Sequence, residues 1–261
     1  MAATLPHIPA DAKPMNDIYE TDKLLAEYLL FHFGSDDEIL PTSATWPAGM
    51  RTALGFPVRT VSHFEKHQVP RGLDIGCATG RSTWEMARTC SSVIGIDYSD
   101  SFIRAANTLR SGTPLPYSRL EEAHTRTPLL AHPPGDIDPA RITFQQGDAM
   151  HLPEDLGSFQ RVHAANLLCR LSHPTLLLDR LPSLVAPGGE LVLATPCTWL
   201  AEFTPPDHWP TPDTASWLTS RLSPHFTLQD STQEPFLIRE TARKFQWSLS
   251  LLTTWKRKPS I

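Results

Sequence analysis

Arg71 to Arg81, RGLDIGCATGR, is the stretch that decides the fold. A short apolar run, Leu73-Asp74-Ile75, breaks into Gly76-Cys77-Ala78-Thr79-Gly80 and passes into a helical segment from Ser82 to Arg88. Glycine serves where a backbone bends sharply or a ligand comes close, and the helix start that follows leaves N–H donors without intrahelical partners. Strand, glycine turn and helix in that order make a floor for a nucleotide-like ligand. Alone, a Gly-x-x-x-Gly turn is a weak sign, because tight turns without ligands also pair glycines. The following segments strengthen it. Ser92-Val93-Ile94-Gly95-Ile96 reads as a second buried strand with Asp97 at its end, where a carboxylate can accept from both hydroxyls of a ribose. Ile142 to Gln146 reads as a third, ending in Gly147-Asp148-Ala149, with Asp148 placed to take the exocyclic amine of an adenine.

These pieces, DIGCATG, GID and QGDA, resemble in order and spacing the S-adenosylmethionine site of class I methyltransferases. The resemblance implies an α/β, Rossmann-like, seven-stranded mostly parallel sheet with helices on both faces and an antiparallel C-terminal hairpin. It implies cofactor contacts from Asp74, Gly76, Cys77, Ala78, Gly80, Arg81, Asp97, Tyr98, Ser99, Gly147, Asp148, Ala149 and Asn166. A dinucleotide-binding domain would need Gly-x-Gly-x-x-Gly; here Ala78 stands between Gly76 and Gly80 and no third glycine follows.

The totals fit one large α/β domain with extensions, or two small ones: 261 residues, 40% hydrophobic and 20% charged. Net charge is −5 and the one dense basic run is Lys256-Arg257-Lys258, read as a solvated tail, so a nucleic-acid partner is not expected. Cys77, Cys90, Cys169 and Cys197 lack Cys-x-x-Cys or metal-ligand spacing, which suits a reducing, cytoplasmic setting without a metal. Residues 1–15, with prolines at 6, 9 and 14, read as a flexible arm, neither signal peptide nor membrane span. A single domain is expected over 16–261.

Within it, 16–70 reads as a helical cap. Asp17 with Glu20 resembles a capping box, and Ile18, Leu25, Tyr28, Leu29 and His32 follow at helical spacing until Gly34. Tyr19, Glu20 and Tyr28 can then face substrate, or the tyrosines can simply pack on the domain. Residues 36–57 read as irregular, and Pro57 to His67 as a short helix. Ser99 caps a helix from Ser101 to Arg110. The insertion from Ser111 to Ala140 has six prolines and two histidines and reads as a long loop, with Tyr117 and Arg119 as candidates for a flap over substrate. Phe159 to Leu168 reads as the fourth parallel strand, presenting Asn166 near its end. A helix over Thr175 to Val185, the turn Pro187-Gly188-Gly189 and a strand over Glu190 to Thr195 follow, with a helix at Trp217 to Leu222. Phe236 to Glu240 and Phe245 to Trp255 read as the closing hairpin, Phe245, Trp247, Leu249 and Leu251 alternating with polar neighbours.

Five stretches go beyond the general fold: NDIYETDKLLAEYLLFHFG (16 to 34), DIGCATGRSTWEMAR (74 to 88), AANLLCRL (164 to 171), TPCTWLAEFTP (195 to 205) and FLIRETARKFQWS (236 to 248). Together they resemble the 4-mercaptohistidine (5-thiohistidine) N1-methyltransferases of ovothiol biosynthesis. That resemblance implies methyl transfer from S-adenosylmethionine to the imidazole nitrogen nearest the side-chain methylene of 5-thiohistidine, with a separate sulfoxide synthase supplying the thiohistidine. It implies catalytic roles for Asn166, Glu20 and Tyr19. Substrate contacts follow from Tyr19, Tyr28, Asn166, Arg170, Trp199, Phe203, Arg239, Glu240, Arg243, Phe245 and Trp247. Arg239 or Arg243 would take the amino-acid carboxylate, and Glu20, Asn166 or Glu240 the second ring N–H. Arg239 and Glu240 can equally be a structural ion pair. The rivals are methylation of another small imidazole or thiol, and a non-catalytic cofactor-binding partner of a synthase.

Overall fold

The computed structural model describes residues 19–259; the arm over 1–15 and the Asp17 start lie outside the described residues. Seven strands form one sheet: β1 (Val69–Ile75), β2 (Cys90–Asp97), β5 (Ile142–Gln146), β6 (Phe159–Ala165), β7 (Val185–Thr195), β8 (Phe226–Arg239) and β9 (Phe245–Arg257). Their order is β5-β2-β1-β6-β7-β9-β8. The first five run parallel, and β9 enters antiparallel between β7 and β8. The order reverses between β1 and β6, so the crevice at their carboxyl ends is where such a sheet binds ligands.

Alternation along β7 shows how the sheet divides its two cores. Leu191 and Leu193 join Leu177, Leu181 and Trp217 of α6 (Pro174–Leu184) and α7 (Thr214–Leu222) on one face. Val192 and Ala194 join Phe56, Trp84 and Ala106 of α3 (Phe56–Val61), α4 (Arg81–Met86) and α5 (Asp100–Arg110) on the other. Both faces of a parallel sheet must be covered, which is why its strands read as nearly continuous apolar runs.

Ser99 does cap α5, its Oγ accepting from the Phe102 N–H at 3.1 Å. Other boundaries differ from the sequence expectation. α1 (Asp22–Phe33) starts at Asp22 with Thr21 as its cap. The Ser35 capping box starts α2 (Asp36–Ile39) in a stretch expected to be irregular. β6 stops at Ala165, three residues early, because Asn166 turns the chain with φ 55° into a 3-10 turn over Leu168–Arg170. The basic run is no solvated tail: Lys256 and Arg257 belong to β9, Lys256 pairs with Glu65 at 3.1 Å, and Arg257 donates to the Pro182 and His225 carbonyls.

The proline-rich insertion is a β-ribbon, β3 (Leu115–Glu122) against β4 (Thr125–Ala131), and not a loop. Both of its strands are edges, so Pro116 and Pro128 cost the ladder little. Tyr117 packs with Leu30 and Leu237 as core, while Arg119 ion-pairs with Glu121 at 2.7 Å and donates to the Glu38 carbonyl. Neither residue is a flap over substrate.

Candidate active site

A cavity of about 530 Å³ lies at the carboxyl ends of β1, β2, β5 and β6, roofed by α1 and bounded by the ends of β8 and β9. Gly76, Cys77 and Ala78 make its floor. Gly76 and Cys77 both donate to the Ile96 carbonyl, at 2.8 and 3.0 Å, which pins the turn to β2. Gly76 has φ 73° and a Cβ there would meet Leu167 at 3.0 Å, so the turn holds a shape that side chains disfavour. Gly80 (φ 95°) and Arg81 are not among the lining residues. A Cβ on Gly80 would sit 2.5 Å from Phe144, and Arg81 pairs with Glu85 at 2.9 Å. Both shape the turn from behind, a correction to their reading as cofactor contacts.

Asp97 stands where the sequence placed it. Its Oδ2 accepts from the Ala78 N–H at 2.8 Å and its Oδ1 from the Ser99 N–H at 2.9 Å, tying the ends of β1 and β2 together. Burial pushes its pKa up to about 6, the two N–H donors pull it down, and the Asp74 and Glu20 carboxylates push it up again. Each oxygen keeps acceptor capacity for a ribose hydroxyl. Asp148 is held by the Met150 N–H and by His151 Nδ1, both at 2.8 Å, and lines the cavity with Gly147, Ala149, Tyr98 and Ser99. A floor of backbone turn with the Asp97 and Asp148 carboxylates lining the same cavity suits an adenosine group. The residues present therefore fit S-adenosylmethionine.

Asp74 lines the same cavity, yet both of its oxygens are engaged within the protein. Oδ1 bonds His163 Nδ1 at 2.8 Å, and Oδ2 accepts from Thr83 Oγ1 at 2.7 Å; His163 Nε2 meets Thr60 Oγ1 at 3.0 Å. A carboxylate is acceptor-only, so His163 donates from Nδ1 to Asp74, while its Nε2 side is held by the Thr60 hydroxyl. Asp74 thus positions the turn by joining β1 to α4 and β6.

The acceptor side corrects more of the sequence reading. Glu20 accepts the Asp100 and Ser101 N–H groups, both at 3.0 Å, at the start of α5 and does not line the cavity, so its catalytic role is withdrawn. An acid at a helix N-terminus is where the orphan donors and the macrodipole favour one. Tyr19 and Tyr28 do line the cavity; their rings contact Phe102, with centroids 6.1 and 4.8 Å away. Burial raises the phenol pKa of both, so each remains a neutral hydroxyl. Asn166 lines it too, its Oδ1 accepting from Ser250 Oγ at 2.7 Å, which turns the amide nitrogen into the available group. It therefore offers a donor where an acceptor was expected. Arg170 and Phe203 line the cavity as a stacked pair, the guanidinium 4.4 Å from the ring centroid.

Period-two geometry explains which hairpin residues reach the site. Phe236, Ile238 and Glu240 share the cavity face, and Gln246 joins them from β9. Arg239 therefore points away. It donates to the Glu38, Ile39 and Thr241 carbonyls and pairs with Glu121 at 3.0 Å. Phe245 packs on Trp46 at 5.1 Å, Trp247 is exposed, Arg243 lies exposed at the hairpin tip, and Trp199 bonds Thr214 and packs on Trp217. None of these five lines the cavity. Glu240 pairs with Lys244 and not with Arg239. We expect Arg239→Met to leave both cofactor and acceptor affinity within twofold while costing about 3 kcal/mol of stability by urea denaturation, since it strands buried acceptors.

Two residues of the site escaped the sequence reading. Glu27 and His32 sit on α1 with Leu24, Tyr28 and Phe31, an otherwise apolar stripe over the cavity. The signal was an acid interrupting that stripe. The Arg81 N–H donates to His32 Nδ1 at 3.2 Å, leaving Nε2 protonated, and burial lowers its pKa to about 3. His32 is thus a neutral donor and no base. Elsewhere, Glu65, His67 and Glu190 bring ligand-type atoms within 4.8 Å, but Lys256 and Arg161 already pair with the two glutamates.

Comparison with known proteins agrees with this architecture. A tRNA U34 carboxymethyltransferase of Idiomarina loihiensis is 28% identical over 138 residues, 52% of this chain and 36% of that protein, so the matched part spans about a third of the relative. The [4+2]-cyclase SpnF superposes with a TM-score of 0.58 at 17% identity, over 94% of this chain and 96% of its own. The N-methyltransferase NodS of Bradyrhizobium japonicum, in complex with S-adenosyl-L-homocysteine, gives 0.50 at 19%, over 89% and 98%. At these identities the structures share the fold, and a cyclase among them shows that the fold does not fix the reaction. Residues 49–233 match the family described as methyltransferase domain. With most of its length inside that family, and with the glycine turn, Asp97 and Asp148 around one cavity, the chain belongs to the methyltransferase-domain family as a class I, S-adenosylmethionine-dependent enzyme.

Proposed function

We propose that the enzyme methylates the ring nitrogen nearest the side chain of 5-thiohistidine, giving ovothiol A. The observation that carries the reading is the character of the acceptor space. Arg170 is the one arginine or lysine lining the cavity among the described residues, and Glu240 lines it as well, a charge pattern suited to a small zwitterion. The resemblance of the five sequence stretches to thiohistidine methyltransferases supports the same acceptor. When bound, S-adenosylmethionine supplies an already activated methyl group, so the protein's task is alignment at close range. Tyr28 and Phe31 wall the acceptor space, and Arg170 takes the amino-acid carboxylate in place of Arg239 or Arg243. Asn166 and His32 offer neutral donors that can hold a thiolate, the stronger nucleophile, away from the methyl. No strong base is needed, because a neutral imidazole already carries a lone pair.

The tRNA acceptor of the Idiomarina relative is the rival. Binding tRNA calls for a basic surface, and the net charge here is −5. The test is a mass-resolved assay with S-adenosylmethionine and, separately, 5-thiohistidine, histidine, ergothioneine and unmodified tRNA, with NMR to place the new methyl. Methylation of the 5-thiohistidine ring nitrogen, at least about 100-fold faster than any other acceptor, is expected, the scale of a site built around a substrate's polar groups. Methylation of tRNA, or of sulfur, would overturn the reading.

A further inference from the structure

Two carboxylates, Glu27 and Glu240, line the cavity and lie near enough to act on each other electrostatically. Glu27 projects from α1. Its Oε1 is buried and accepts no hydrogen bond, and the nearest cation, Lys23 Nζ, stands 3.6 Å off on a side chain that is 61% exposed. Glu240 arrives from the opposite wall as the last of the Phe236, Ile238, Glu240 set, with Lys244 at 2.6 Å on a side chain that is 70% exposed. Both acids also border the small cleft beneath the β3–β4 ribbon.

A buried carboxylate oxygen without a donor is costly, and a second carboxylate nearby adds to the cost. Burial is the main cause that raises the Glu27 pKa, with Glu240 pushing the same way against Lys23 and Lys244.

We propose that Glu27 and Glu240 form the acceptor-recognition end and bind a primary ammonium group on the acceptor. Such a group supplies three donors, offers Glu27 Oε1 the close hydrogen bond that Lys23 at 3.6 Å does not make, and bridges two like charges that otherwise repel. This rests on the reading of the cavity as a small-acceptor site, and it names the acceptor as an amine-bearing one. Lys23 and Lys244, anchored in solvent, leave the carboxylates as the amine docks.

The test uses the full chain saturated with S-adenosylhomocysteine and titrated calorimetrically with 5-thiohistidine and with its des-amino analogue, the thioimidazole propionate. We expect the wild type to prefer the amine about tenfold or more. Glu27→Gln and Glu240→Gln should each weaken 5-thiohistidine about tenfold, leave the analogue within twofold, and leave the affinity for S-adenosylhomocysteine unmoved. Equal binding of amine and analogue by the wild type, or an unchanged preference in both variants, overturns the proposal. If neither thioimidazole binds, the 5-thiohistidine reading fails by itself, and histamine against imidazole propionate decides the ammonium claim. Preference for histamine, lost in the variants, sustains it; any other result there, binding of neither included, overturns it.

Discussion

Asp97→Asn should bind S-adenosylmethionine about 100-fold more weakly than the wild type. The affinity loss follows from two charge-assisted hydrogen bonds to ribose hydroxyls, together about 3 kcal/mol. The pH dependence of the wild type's stability follows from linkage. The folded pKa of Asp97, about 6, lies above its ordinary value of 3.8. The stabilisation that comes from holding it protonated is therefore complete below about pH 3.8 and lost as pH rises through about 6. Affinity must also follow protonation of the free site. Calorimetry should give a constant dissociation constant above about pH 6, rising up to tenfold per unit below it, and a flat profile for Asp97→Asn. An equal slope in both proteins would place the cofactor's acceptor elsewhere.

Asp74→Ala should cost about 3–5 kcal/mol of folding stability, because it strands two donors at once. Asp74 and His163 are each 1% exposed and Thr83 is fully buried, so neither the His163 Nδ1–H nor the Thr83 hydroxyl finds water in its place. Asp74→Asn keeps one acceptor oxygen and should lose about half as much. Since β1, α4 and β6 all anchor on this carboxylate, cofactor affinity should fall in proportion to the lost stability across the two variants. Urea denaturation followed by fluorescence measures the first quantity, and an unchanged midpoint in Asp74→Ala would show that the carboxylate contacts ligand and does not hold the turn.

The cofactor half of this site was legible because its residues are local to each motif. Gly76, Ala78, Asp97 and Asp148 each sit within a few residues of a strand end, and parallel strands deliver their carboxyl ends to one crevice whatever the rest of the chain does. The acceptor half is assembled from distant elements. Alternation set Phe245 and Trp247 apart from their polar neighbours, but choosing the inner face of the hairpin required knowing what packs on it. Glu20 was misread for the same reason: its partners, the N–H groups of Asp100 and Ser101, lie some eighty residues on. The β3–β4 ribbon was hidden by its own prolines, which an isolated pair of edge strands tolerates and a central strand does not.

A crystal structure with S-adenosylhomocysteine and 5-thiohistidine tests the central claim most directly, that one cavity holds both the cofactor and an amine-bearing acceptor. The account predicts the ribose on Asp97, the adenine beside Asp148, and the acceptor's ammonium between Glu27 and Glu240 with its carboxylate on Arg170. An acceptor bound outside the cavity, or with its carboxylate turned toward Glu27 and Glu240, would contradict it.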